Sequence, residues 1–373
     1  MNRNLATLFT AVLIAAPVVL SAQGTQPRER TEEDNTRFGG TSAVFLTLPG
    51  DARGAALGGS FASLVTDISS VFYNPAGLAL MGTSQAMFSY TKYIADTRHL
   101  TAAMGWSLRG GEWGLGVSLS NFGFGDAPVY TETDQEGNGE TYSVSNTAVG
   151  LTAALQFSDR FSAGITGRFV NEQLGRTGAS GFTVDFGTNY HGELGGRPIR
   201  ASFVVMNYGT SFRPSGAVLN DDVDPIDESM NVERQPVELR TSAFEPPTQF
   251  RVSVAYDVLA ASSSRLTFLS EFFQPNDSDP GVGFGAEFNA RLAEGFNAGL
   301  RGSYNYQGDN RDSDPADAAG FSSSAQDDDV LDGLALGAGI NWQVGSWNVG
   351  VDYAFRHMGV LPSVNMFSVK LGW

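Results

Sequence analysis

The chain has 373 residues, no Cys, 45 Gly and 26 Phe, a net charge of −17, and only 17% charged against 42% hydrophobic residues. The missing Cys excludes disulfides, thiol chemistry and a Cys-linked lipid anchor, and the negative charge argues against nucleic acid as a partner. After the first 22 residues no stretch reaches the roughly 18 consecutive apolar residues of a membrane helix, so the chain does not read as a helical membrane protein.

Residues 1–22 read as a secretory signal peptide. Arg3 supplies a positive start, 5–20 an apolar run, and Ser21-Ala22 a small-residue cleavage site. The alternative is a retained anchor, but the run is short for a span and Pro17 interrupts it. Residues 23–40 form a polar linker. Residues 41–82 mix Gly, Ala and Ser with Phe45, Leu46, Phe61, Ile68, Phe72 and Tyr73, and their spacing predicts helix over 59–67 and again after Asn74. Asn74 suits an N-cap and Pro75 the first helical position, so Asn74-Pro75-Ala76-Gly77 is either a capped short helix or the working part of a plug.

From about residue 84 to the end the dominant period is two. Trp113, Leu115, Val117 and Leu119 alternate with Gly and Ser; Phe182, Val184 and Phe186 alternate with Thr183, Asp185 and Gly187; Val349, Val351 and Tyr353 alternate with Gly350 and Asp352. Fourteen such segments of about 8–12 residues can be counted, the length that crosses a bilayer at a tilt. The weaker ones fall near 85–93, 98–108, 198–208 and 331–343.

A secreted β-sandwich would alternate too. Three features favour a membrane. Strand charges share the polar face: Arg168, Arg200, Arg251, Arg301, Arg356 and Lys370 with Asp185, Asp257, Glu271, Glu287 and Asp352. The opposite face is aromatic and aliphatic, as lipid requires. Connections after even strands are tight, whereas the long ones, 124–143, 211–246 and 308–332, all follow odd strands, the asymmetry of short periplasmic turns and long outer loops. Those three loops hold 21 Asp and Glu against four Arg, which accounts for the whole net charge of −17. They read as solvated loops or, less economically, as an ion-binding surface; Asp309, Asp312 and Asp314 lack the Gly and Glu of a calcium loop. The lumen charges either pair to join segment and wall or touch a substrate.

The chain ends on Trp373, with Phe367, Val369 and Leu371 on the same strand face. This resembles the terminal aromatic signal read by the outer-membrane assembly machinery. His99, His191 and His357 stand in no spaced metal motif, and no nucleophile elbow is evident; the residues suggest no enzyme, metal or cofactor. Gly281-Val282-Gly283-Phe284-Gly285 lies in an alternating strand and opens no helix.

Within 41–82, Ala52-Arg53-Gly54, Leu57-Gly58-Gly59, Asp67 and Asn74-Pro75-Ala76-Gly77 resemble the N-terminal hatch of the PorV/PorQ family of the FadL-like superfamily. Phe272-Phe273-Gln274-Pro275-Asn276-Asp277 and His357-Met358-Gly359-Val360-Leu361 resemble its turn after a strand and its last outer loop. The resemblance implies an all-β, transmembrane antiparallel barrel of about 14 strands (83–373) with a plug or hatch (41–82) inside the lumen. It implies a docking or shuttle component of type IX protein secretion, partnered by secreted cargo or secretion machinery. The other reading is a passive FadL-like conduit for a hydrophobic small molecule across the outer membrane. The strongly acidic loops depart from the family pattern, so neither cargo nor ligand identity carries over.

Overall fold

The computed structural model describes residues 40–130, 135, 139–223, 235–307, 333–359 and 361–373. Residues 1–22, expected as a signal peptide, and almost all of 23–40, expected as a polar linker, lie outside them.

Fourteen antiparallel strands form a closed barrel. Its first half comprises β1 (Gln85–Lys92), β2 (Arg98–Leu108), β3 (Trp113–Pro128), β4 (Thr141–Ser158), β5 (Phe161–Leu174), β6 (Thr177–Leu194) and β7 (Arg197–Gly209). The second comprises β8 (Gln249–Ala260), β9 (Ser264–Pro275), β10 (Gly281–Ala293), β11 (Phe296–Gln307), β12 (Leu334–Val344), β13 (Trp347–Met358) and β14 (Leu361–Gly372). Each strand pairs with its sequence neighbour, and β1 closes the ring on β14 from Gln85↔Gly372 to Lys92↔Asn365. No sheet edge is left in the bilayer, where an unpaired backbone group costs several kcal/mol.

Burial is inverted relative to a soluble protein. On β6, Phe182 is 60% exposed while its neighbour Thr183 is fully buried, and the alternation continues through Val184, Asp185 and Phe186. The apolar face therefore points outward to lipid and the polar face inward. Tight connections at 159–160, 195–196, 294–295 and 345–346 follow even strands, and the long ones at 129–140, 210–248 and 308–333 follow odd strands. The strands differ from expectation in length. β3 has 16 residues and β4 and β6 have 18 each, beyond the roughly 9–11 a bilayer needs. Pairing between successive hairpin strands continues past the hydrocarbon on the long-loop side. The segment 210–248 also returns to pair, Ser215–Gly216 adding to the outer end of β6.

Residues 41–82 contain α1 (Ala52–Ala56), α2 (Ser70–Tyr73) and 3-10 turns at Val44–Thr47 and Pro75–Leu80. The expected helix over 59–67 does not form; turns occupy it. Gly58 and Gly59 take φ of 65° and 77°, the left-handed region that ends α1 and redirects the chain. The hydrophobic periodicity over 59–67 instead reflects Phe61, Leu64 and Val65 packing with Leu57, Tyr73, Ala255 and Leu269. The helix expected after Asn74 is present as the 3-10 turn, with Pro75 at its start.

The outward face makes a stability prediction. Leu300, 64% exposed near the middle of β11, faces lipid. Leu300→Arg is expected to lower stability by about 2–4 kcal/mol in denaturant titrations of the refolded protein in lipid vesicles.

Candidate functional site

The polar faces of the strands meet residues 41–82 through a dense set of hydrogen bonds and ion pairs. Arg53, on α1, is held by Glu287 of β10 through two bonds of 2.8 Å and by Asp67 at 3.2 Å, and its guanidinium lies 5.3 Å from the Phe61 ring. Arg301 of β11 shares Glu287 at 2.7 Å and reaches Asp352 of β13 at 2.5 Å. Lys370 of β14 sits between Asp67 at 2.9 Å and Asp51 at 2.7 Å. Seven charged groups thus form one network between α1, its flanking turns and four strands. Burial alone would push the Asp67 carboxyl up; Lys370 and Arg53 outweigh it and hold it below the usual carboxylate range. Burial likewise opposes the charge on Arg53, and Glu287 and Asp67 overcome it.

Of the remaining wall charges, two pairs also reach the segment. Arg168 pairs with Asp185 and donates to the Val71 carbonyl at 2.8 Å. Asp185 accepts from the Asn207 N–H at 2.8 Å. Arg251 pairs with Glu271 at 3.2 Å and donates to the Gly59 carbonyl at 3.0 Å, while Glu271 accepts from the Ala62 N–H at 3.1 Å. Arg200 forms two bonds with Asp257, at 3.0 and 2.8 Å, and this pair does not bond residues 41–82. Arg356 is half-buried and has no ion pair among the described residues.

The Asn74-Pro75-Ala76-Gly77 motif is fully packed. Asn74 accepts from the Ala76 N–H at 3.1 Å and donates to the carbonyls of Ala62 and Thr188 at 2.9 and 3.1 Å. It caps its own turn and ties it to β6 at once. The wall makes room with glycine: a Cβ on Gly164 would lie 2.5 Å from the Pro75 carbonyl carbon, and one on Gly187 would lie 2.1 Å from the Asn74 side chain. Gly58 is bound through its carbonyl by Asn305 at 2.6 Å. Phe367 and Val369 of β14 face outward, and Trp373, just past its end, is exposed beside Trp347.

Sequence reasoning missed Asp51 and Tyr73. Asp51 is fully buried, caps α1 by accepting from the Gly54 N–H at 2.9 Å, and pairs with Lys370. An Asp just before Ala-Arg-Gly is an N-cap signal that could have found it. The Tyr73 hydroxyl accepts from the N–H groups of Gly50 and Asp51 at 3.0 and 3.2 Å, a contact with no local sequence signal. Burial and the nearby Asp51 charge push its pKa well up, so it stays a neutral phenol. Glu172 was also missed, and the contact of Asp277, known only from its turn motif, was unforeseen: Glu172 accepts from Ser42 and the Ala43 N–H, and Asp277 from Thr41.

Between the segment and the long-loop ends of the strands lies a cavity of about 510 Å³. Leu46, Leu48, Phe72, Met206, Phe273 and Tyr304 line it together with Arg251 and Arg356.

A closed, fourteen-stranded antiparallel barrel with an apolar outside and a polar inside is an outer-membrane β-barrel. Solved structures of similar fold include the CymD monoaromatic hydrocarbon channel, 11% identical over 86% of this chain and 96% of that one, with a TM-score of 0.53. They also include the toluene transporters TodX of Pseudomonas putida (11% identity, 87% and 98% coverage, TM-score 0.52) and TbuX of Ralstonia pickettii (12%, 88% and 98%, 0.50). At these identities they establish the fold alone. No curated protein matches the chain. The family model described as type IX secretion system protein PorV matches residues 30–215, which span the segment 41–82 and β1 to β7. The chain belongs to the PorV family and to the outer membrane.

Two predictions follow from the ion network. Glu287→Gln leaves Arg53 and Arg301 short of a buried counter-charge and is expected to cost about 3 kcal/mol in denaturant unfolding. Asp67 has a depressed pKa when folded, so its stabilisation is complete above about pH 4 and is lost as pH falls below that. The thermal midpoint of the wild type should therefore hold from pH 7 to about pH 4 and decline below it, whereas Asp67→Asn should start lower at pH 7 and decline less.

Proposed function

We propose that this protein is a docking component of type IX secretion, holding secreted cargo or secretion machinery at the outer membrane. In this reading residues 41–82 are a plug or hatch that closes the lumen, and the acidic outer loops present the contact surface. The observation that carries it is the PorV family match over residues 30–215. The geometry supports it: ion pairs and hydrogen bonds tie residues 41–82 to the strands from β2 to β14, the arrangement expected of a closure rather than an open pore. The protein works by binding, without catalysis or cofactor. The outward Phe367, Val369, Leu371 and Trp373 serve as its assembly signal. Its lipid partner is the outer-membrane bilayer.

A passive conduit for hydrophobic molecules is the second reading. The cavity of about 510 Å³, where Leu46, Leu48, Phe72 and Phe273 lie beside Arg251, Asn305 and Arg356, gives it room, and a fold shared with hydrocarbon channels favours it.

One experiment addresses both. The tagged full chain is extracted in detergent and examined for co-purifying proteins and, by mass spectrometry, for bound lipid or hydrocarbon. Recovery of secretion components or secreted cargo is the expected result. A preparation free of protein partners but carrying a stoichiometric apolar ligand would overturn docking in favour of the conduit.

A further inference from the structure

The short-turn end of the lumen carries a feature that the docking reading does not use. Register puts Arg265 of β9 opposite Asn289 of β10, Arg291 of β10 opposite Asn297 of β11, and Asn297 opposite Asn341 of β12. All five share the inward parity of Thr267, Glu287 and Arg301, and all line one cavity of about 360 Å³ that reaches the turn at Ser262 and Ser263. Diagonal neighbours on one sheet face lie within about 8 Å, inside the reach of long side chains. Two guanidinium groups and three carboxamides therefore converge on a common space.

The deeper cations lining the same cavity are already committed. Arg301 bonds Glu287 and Asp352, Arg53 bonds Glu287 and Asp67, and Lys370 pairs with Asp51 and Asp67. The two lining carboxylates, Asp67 and Asp352, are consumed in those pairs. The rim cations differ. The Arg291 side chain has no hydrogen-bond or ion-pair partner among the described residues, and Arg265 approaches only Asp257, at 3.6 Å.

We infer that this run is a binding site for a small dianionic oxyanion of the phosphate or phosphomonoester class. Guanidinium forks match oxyanion geometry and bind it through paired, charge-assisted hydrogen bonds. The carboxamide NH₂ groups of Asn289, Asn297 and Asn341 supply neutral donors around it. The run lies on the lumen face, so the ligand arrives from periplasmic solvent and not from the bilayer. It also lies at the end of the barrel away from the acidic loops, whose charge would repel such an ion. The inference depends on strand register and not on what the outer loops bind.

The test is a calorimetric titration of the purified full chain, in detergent at low ionic strength, with inorganic phosphate. Saturable binding is expected. R291Q should weaken it by about tenfold or more, and R265Q/R291Q should abolish it. K92Q, on an exposed Lys at the opposite end of the barrel, should leave it unchanged. Heat-modifiable migration on gels confirms that each variant is folded. No saturable phosphate binding by the wild type, or binding by R265Q/R291Q as tight as wild type, would overturn the proposal.

Discussion

Hydrocarbon offers no hydrogen bonds, and every main feature of this chain answers to that fact. The backbone groups of the strands must pair with one another, so the sheet closes, with β1 on β14 as the last seam. Closure then divides the side chains into two populations. Those facing out must be apolar, and the long rows of Phe, Val and Leu are stable there although they would be aggregation-prone in water. Those facing in are spared contact with lipid, and only there can the strands carry Arg, Asp and Glu.

The inward face creates a problem of its own. Charges walled off from bulk water are costly unless paired and hydrogen-bonded. The barrel meets this in part with wall-to-wall pairs such as Arg200–Asp257. In larger part it meets it with residues 41–82. Glu287 is satisfied by Arg53, Glu271 by the Ala62 N–H, and Lys370 by Asp51 and Asp67. The dependence is mutual. The segment has only short helices, too brief to be stable alone. Its small residues and its bonds to the wall give it shape, and in return it supplies counter-charges that strand pairing does not provide.

That reciprocity shows where function can reside. The three long loops contribute the whole net charge yet are not needed to close the sheet, so their sequence is not constrained by barrel closure. The ties between segment and wall are not free in that sense. Displacing residues 41–82 would leave several buried carboxylates and guanidinium groups without their partners together.

The period of two was legible because it is local: Phe182, Thr183, Val184 and Asp185 announce two faces without any knowledge of neighbours. The parity of the strand charges and the alternation of short and long connections were equally plain. Strand ends were less so, since pairing past the bilayer carries β4 and β6 to 18 residues. In 41–82 the motif residues were recognisable but their shape was not, and the expected helix over 59–67 gave way to turns. That stretch is set by contacts more than 190 residues away in sequence, Ala62 with Glu271 and Gly59 with Arg251. The sequence by itself determined the barrel, its strand number and which face meets lipid, because alternation and loop length are properties of neighbouring residues. Only the tertiary structure decided which charge meets which and how residues 41–82 fold, because those pairings join groups brought together only when the ring closes.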